Sequence, residues 1–213
     1  MNFKFKLFLL LIIVLIILQT SFVSAEERTF VVANTNDWQS IYSIDMYASS
    51  IGAQIVYLKD LGDSEIKTQL MAKTDKIIVF ESKETPVVKN YKSFLIVNGF
   101  EAVGEYQFFN VYDLQEYLYN QVKPDAVFIF GNDYGMEPLT LAPYMLKNNY
   151  FPLFFSKEST SFFYRISRRK PITVVGRVPL RTVEQLKPTM ILGEPQTTLA
   201  KLNSMVNEDI ESD

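Results

Sequence analysis

Residues 126–156 read AVFIFGNDYGMEPLTLAPYMLKNNYFPLFFS, and the architecture of the chain can be worked out from them. Residues 126–130 are an apolar run of β-branched and aromatic side chains, the composition of a buried strand. The turn Gly131-Asn132-Asp133-Tyr134-Gly135 follows. Beyond it Leu139, Ala142, Met145 and Leu146 recur at the three- and four-residue spacing of a helix. A second apolar run, residues 151–155, closes the stretch. Strand, turn, helix, strand is a βαβ unit, and the helical crossover makes its two strands parallel.

The same order of features occurs earlier. Phe30, Val31, Val32 and Ala33 lead into Asn34-Thr35-Asn36-Asp37-Trp38, and Ile41, Ile44, Tyr47 and Ala48 follow at helical spacing. Residues 53–58, AQIVYL, read as the returning strand, and residues 76–80, KIIVF, match residues 171–176, PITVVG. Asn36-Asp37-Trp38 thus holds in the first unit the place of Asn132-Asp133-Tyr134 in the second. The spacing predicts further strands at 94–97, 106–111 and 189–192. Helices are predicted at 64–72, 113–122, 160–169 and 198–206, with a turn leading into a short helix over 179–186. The expected fold is α/β: two similar βαβ-based units with mainly parallel sheets, spanning residues 26–98 and 126–206. A strand and a helix in 99–125 connect them, and 207–213 form an acidic tail.

An N-terminal segment stands apart from this pattern. Lys4 and Lys6 precede an unbroken apolar run over 7–18, and Val23-Ser24-Ala25 has the small residues of a cleavage site. A signal peptide over 1–25 is expected, its rival being an uncleaved anchor nearly long enough to span about 30 Å of bilayer. Either way the folded part is placed outside the cytoplasm, at the cell surface or beyond it, and a membrane enters only through that segment.

Composition narrows the chemistry. The 213-residue chain carries a formal charge of −3, and loss of the leader removes two lysines and no acid. That balance argues against a nucleic-acid partner. There is no cysteine, so an exported fold must be held by its core rather than by disulfides. Histidine is absent as well, which removes serine–histidine triads, a histidine general base and ordinary zinc sites. No cofactor is expected, and any metal would be a hard cation on oxygen ligands.

Gly131-Asn132-Asp133-Tyr134, followed by Leu141-Ala142-Pro143 and Phe151-Pro152-Leu153, resembles the cell-wall-binding repeat of type 2. Thr173-Val174-Val175-Gly176 is similar to a later strand end of that repeat, and Asn36-Asp37-Trp38 stands in the first unit where the turn would be. The match departs at Glu137-Pro138-Leu139, where the family has Asp-Ala-Leu, and at Arg177, where it has a second glycine. The family commonly has three units where two are visible here. The resemblance implies a non-catalytic module that holds a surface protein to an anionic envelope polymer.

Two groups of residues are candidates for ligand contact. Asn34, Asn36, Asp37 and Trp38, with Asn132, Asp133 and Tyr134, fall where strands hand over to helices. There, helix N-termini of parallel sheets present donors to ligands. The plainer role for Asp37 and Asp133 is helix capping. Arg165, Arg168 and Arg169 share one helix face by spacing, and Arg177 follows closely, a concentrated positive region suited to phosphate or carboxylate. Its plainer role is a solvated face. No catalytic residue is assigned. The expected function is binding of an anionic or glycan cell-envelope polymer. The alternatives are a carbohydrate-active hydrolase with paired acids and an extracellular solute-binding protein. Homo-oligomers remain open, since a partner chain could supply a further unit.

Overall fold

The computed structural model describes residues 28–131 and 137–192. The expected leader, the Asn132-Asp133-Tyr134 turn, the helix over 198–206 and the acidic tail lie outside the described residues.

In the first unit the elements are β1 (Thr29–Asn34), α1 (Trp38–Ser50), β2 (Gln54–Tyr57), α2 (Leu61–Gln69), β3 (Lys76–Ser82), α3 (Tyr91–Val97), β4 (Val103–Phe108) and α4 (Val111–Val122). The second unit has β5 (Ala126–Phe130), α5 (Glu137–Lys147), β6 (Tyr150–Phe154), α6 (Thr160–Ser167), β7 (Ile172–Val175), α7 (Leu180–Leu186) and β8 (Met190–Leu192). The strands form two four-stranded sheets, ordered β2-β1-β3-β4 and β6-β5-β7-β8. Every pairing is parallel. The chain is therefore α/β, built from two similar units with the same strand order.

Two elements differ from expectation. Residues 94–97, read as a strand, are the end of α3. Tyr91 and Leu95, four apart, are fully buried, whereas Ile96 and Val97 point outward, so a helical face and not a strand pleat is covered. Gly99, at φ +84°, turns the chain after the helix. The strand read over 106–111 begins earlier, as β4, and it pairs with β3. It completes the first sheet instead of connecting the units, and α4 alone spans the passage to β5.

One apolar core runs through both units. Val31, Ala33 and Phe80 of the first sheet share it with Phe128, Phe130, Leu153 and Phe154 of the second. Helices α1 and α4 pack together and against β6, so first-unit helices line the second sheet. Gln115 of α4 accepts the Phe154 amide at 3.1 Å, and Tyr119 meets Phe162 edge-on at 5.5 Å. The opposite face of the first sheet, with Phe30, Val32, Ile77 and Val79, packs on Tyr91 and Leu95 of α3 as a separate smaller core.

Candidate functional site

In both sheets the strand order reverses at the first strand, and ligands of such sheets collect beyond the carboxyl ends of the strands at that point. In the first unit this crevice lies between β1 and β3, and it is closed from within. Asn34 and Glu81 are register partners. The Asn34 amide donates to Glu81 Oε2 and to the Val88 carbonyl, both at 2.7 Å, and its Oδ1 accepts the Val88 N–H at 2.9 Å. All three groups are buried, so the segment after β3 is folded back over the strand ends. Burial, and then the charge of Glu105, pushes the Glu81 carboxyl up, against the opposing pull of the Asn34 hydrogen bond.

Asp37 caps α1. It precedes α1 and accepts the Ser40 N–H at 2.9 Å and the Ser40 hydroxyl at 2.6 Å, which satisfies the first turn of the helix. Asn36, one residue earlier, is exposed on the rim.

The matching corner of the second unit brings Gly131 against Arg177. Gly131 is buried, and a Cβ there would lie 2.6 Å from the Arg177 carbonyl oxygen and 2.8 Å from its nitrogen. The turn after β7 is thus pressed onto the end of β5, and only glycine fits. Asn132, Asp133 and Tyr134, which follow Gly131 in the chain, are outside the described residues.

The arginines divide. Arg165, Arg168 and Arg169 are exposed near the carboxyl end of α6, which leads into the start of β7, whereas Arg177 follows the end of β7. A strand lies between them, a separation on the order of 15 Å at roughly 3.3 Å per residue. Arg165 is paired with Glu116 of α4 and lies over the Phe162 ring at 5.4 Å. Between α4 and α6 is an open cleft of about 230 Å³, lined by Glu116, Tyr119, Asn120, Phe162, Arg165 and Arg169 among others. The charge of Arg169 acts on the Tyr119 hydroxyl there, though burial has the larger effect and raises it. The cleft holds two guanidinium groups beside one carboxylate, an arrangement that favours anions.

Trp38 lies elsewhere than the rim. Its ring meets Phe154 of the second unit edge-on at 5.0 Å, and it lines a pocket at the junction of the units with Ile41, Tyr42, Asp45, Tyr57, Pro138 and Leu139. Of these, only Trp38 was singled out by its position in the chain. The signal for the others was present on α1, because Trp38, Ile41, Tyr42 and Asp45 are spaced i, i+3, i+4, i+7 and share a face. Tyr57 and Pro138 come from other elements, and nothing in their local sequence points to the pocket.

Among the described residues no group of three or more acidic side chains could hold a metal ion, and no helix is long and apolar enough to cross a membrane.

Fold and sites together define a class: a double α/β module of two parallel four-stranded units on one core, with polar groups at the sheet ends engaged in structure. No family model matches the chain, and no curated protein does. Among solved structures it is similar to Cwp8 from Clostridium difficile, with a TM-score of 0.64 at 14% identity over 86% of this chain. The match takes in 34% of that structure, so the chain spans about a third of its length. At this identity the likeness is one of fold.

Proposed function

We propose that the chain is an exported, non-catalytic protein of the cell envelope that binds an anionic surface polymer, a charged glycan included, through the arginine face of α6. The observation that carries this reading is the cleft between α4 and α6, where Arg165 and Arg169 converge and Arg168 stands exposed beside them. In a chain of net charge −3 such a concentration of guanidinium groups is suited to successive phosphates or carboxylates of a polymer. The fold it shares with Cwp8, a cell wall protein, and the resemblance of its turns to the cell-wall-binding repeat support a place at the cell surface.

The alternatives draw less from the same observations. A paired-acid hydrolase needs two carboxylates facing one cleft. Asp37 is spent on a helix cap, and Glu81 is buried under the segment that Asn34 holds down. A solute-binding protein that closes two lobes needs a hinge between them, and here the core is continuous across the units.

Sedimentation of the protein with isolated cell envelopes tests the reading. Binding is expected to weaken steeply as sodium chloride rises from about 50 mM to about 500 mM, because guanidinium–anion contacts are screened and counterions compete. Changing Arg165, Arg168 and Arg169 together to Gln is expected to abolish co-sedimentation with the fold unchanged by circular dichroism. Undiminished binding by that variant would overturn the assignment of this face.

A further inference from the structure

The junction pocket differs in kind from the arginine cleft. It measures about 240 Å³ and is lined by Trp38, Ile41, Tyr42 and Asp45 of α1, Tyr57 of β2, and Pro138 and Leu139 of α5. Three of these are aromatic, three are aliphatic, and among the described lining residues the only formal charge is the Asp45 carboxylate. We infer that this pocket is a binding site for an organic ammonium group, held by the Asp45 carboxylate among the Trp38, Tyr42 and Tyr57 rings.

The polar capacity of the lining separates this ligand from a neutral sugar. The Tyr42 hydroxyl is committed to the Pro138 carbonyl, and the Tyr57 hydroxyl lies within the influence of the Asp45 carboxylate. Apart from the Trp38 indole N–H, what remains among the described lining residues is carboxylate acceptor capacity and aromatic surface. A sugar ring would bury several hydroxyls with few partners to satisfy them, an unfavourable exchange. An alkylammonium needs one counter-charge and aromatic faces, and both are at hand. The field in the pocket agrees. Burial, and after it the charge of Asp45, pushes the Tyr57 hydroxyl up to about 12 and raises that of Tyr42 well above the usual tyrosine range. Lys67, whose ammonium reaches the Tyr57 carbonyl, is paired with Asp63 on its own helix and does not line the pocket. An anionic polymer held on α6 would not enter here, so the pocket is independent of the arginine surface.

Organic ammonium groups occur as quaternary headgroups and as amino sugars, and one titration distinguishes them. Trp38 is the only tryptophan in the chain and lines the pocket, so its emission reports occupancy directly. The exported protein is titrated with choline, with glucosamine and with N-acetylglucosamine, each against sodium chloride of equal ionic strength. A saturable change with one or both ammonium compounds and none with N-acetylglucosamine is the expected result; which of the two binds identifies the source. Asp45→Asn is expected to weaken binding about tenfold, the equivalent of one lost charge contact. Leu139→Lys, at an exposed position on the pocket wall, introduces a competing cation and is expected to abolish binding even if Asp45→Asn proves poorly folded. The Arg165, Arg168 and Arg169 to Gln variant is expected to bind as the natural protein does. No saturable change with either ammonium compound, equal binding of N-acetylglucosamine, or indifference to Leu139→Lys overturns the inference.

Discussion

Asn34 uses both ends of its amide to fasten β3 and the following segment to β1, and that geometry sets what its loss should do. Asn34→Ala leaves the Glu81 carboxylate and the Val88 N–H and carbonyl buried without these partners, and it is expected to cost about 2–4 kcal/mol in urea unfolding. Glu81 itself gives a pH signature. Its folded-state carboxyl is raised by burial first and by Glu105 second, so the native state holds this proton to higher pH than the unfolded chain does. Stability from this group is therefore lost as pH climbs from the ordinary glutamate value through the raised one, and is constant above it. Glu81→Gln keeps an acceptor for Asn34 and removes the titration. The variant is expected to gain on the natural protein as pH rises through that window, measured by urea midpoints at several pH values. Gly131 is constrained differently. The three atoms nearest a methyl group there are backbone atoms of Arg177, at 2.6 to 3.0 Å, so the turn after β7 must move. Gly131→Ala is expected to cost about 2–3 kcal/mol, as overpacking against an unyielding wall does.

At the scale of elements, Asp37 caps the first turn of α1. Asp37→Ala is expected to cost about 1 kcal/mol of stability and to leave envelope co-sedimentation unchanged, since its carboxylate is occupied by Ser40. The elements that could be read from the chain are those whose local signal agrees with their environment. Strands β1, β3, β5 and β7 are apolar runs because central strands of a parallel sheet are covered on both faces. Helix α4 carries Leu114 and Leu118 in phase and stops before Lys123-Pro124. The four apolar residues 94–97 misled because an apolar run carries no period. What makes α3 a helix is burial of Tyr91 and Leu95 against the outer face of the first sheet, a tertiary fact. The start of β4 and its place in the first sheet are not legible locally, because an edge strand with Gly104, Glu105 and Gln107 has no apolar run to mark it. The candidate sites follow the same logic. The capping role of Asp37 is local and was legible, whereas the role of Asn34 depends on residues 54 positions away in the chain. Arg165 and Arg169 line one cleft, with Arg168 and Arg169 just past the last turn of α6. Arg177, near in sequence, is carried to the other end of the sheet by β7.

For the molecule as a whole the decisive feature is that the repeat is not a pair of separable beads. Phe154 sits on β6 of the second unit and is fully buried, yet the rings against it include Trp38 at 5.0 Å and Tyr42 at 5.9 Å from the first. Its amide is accepted by Gln115 of α4, so the edge of the second sheet is finished by a helix of the first unit. Neither unit could keep these surfaces out of water alone. Unfolding in urea is therefore expected to be one transition, with far-ultraviolet circular dichroism, which reports both units, coinciding with Trp38 emission, which reports the junction. Phe154→Ala is expected to cost about 3–5 kcal/mol and to move both signals together, because the cavity it leaves is shared. Two separate transitions, or a Trp38 signal that shifts while the dichroism midpoint stays in place, would mean that the units are independently stable. The distinction bears on function, because a module that carries load between a surface and a polymer gains from one core that fails only as a whole. Lobes that must close on a solute need the opposite, a junction weak enough to open while each half stays folded. The aromatic contacts around Phe154 join the two units in one core, and the unfolding of this single variant tests whether that core fails as a whole.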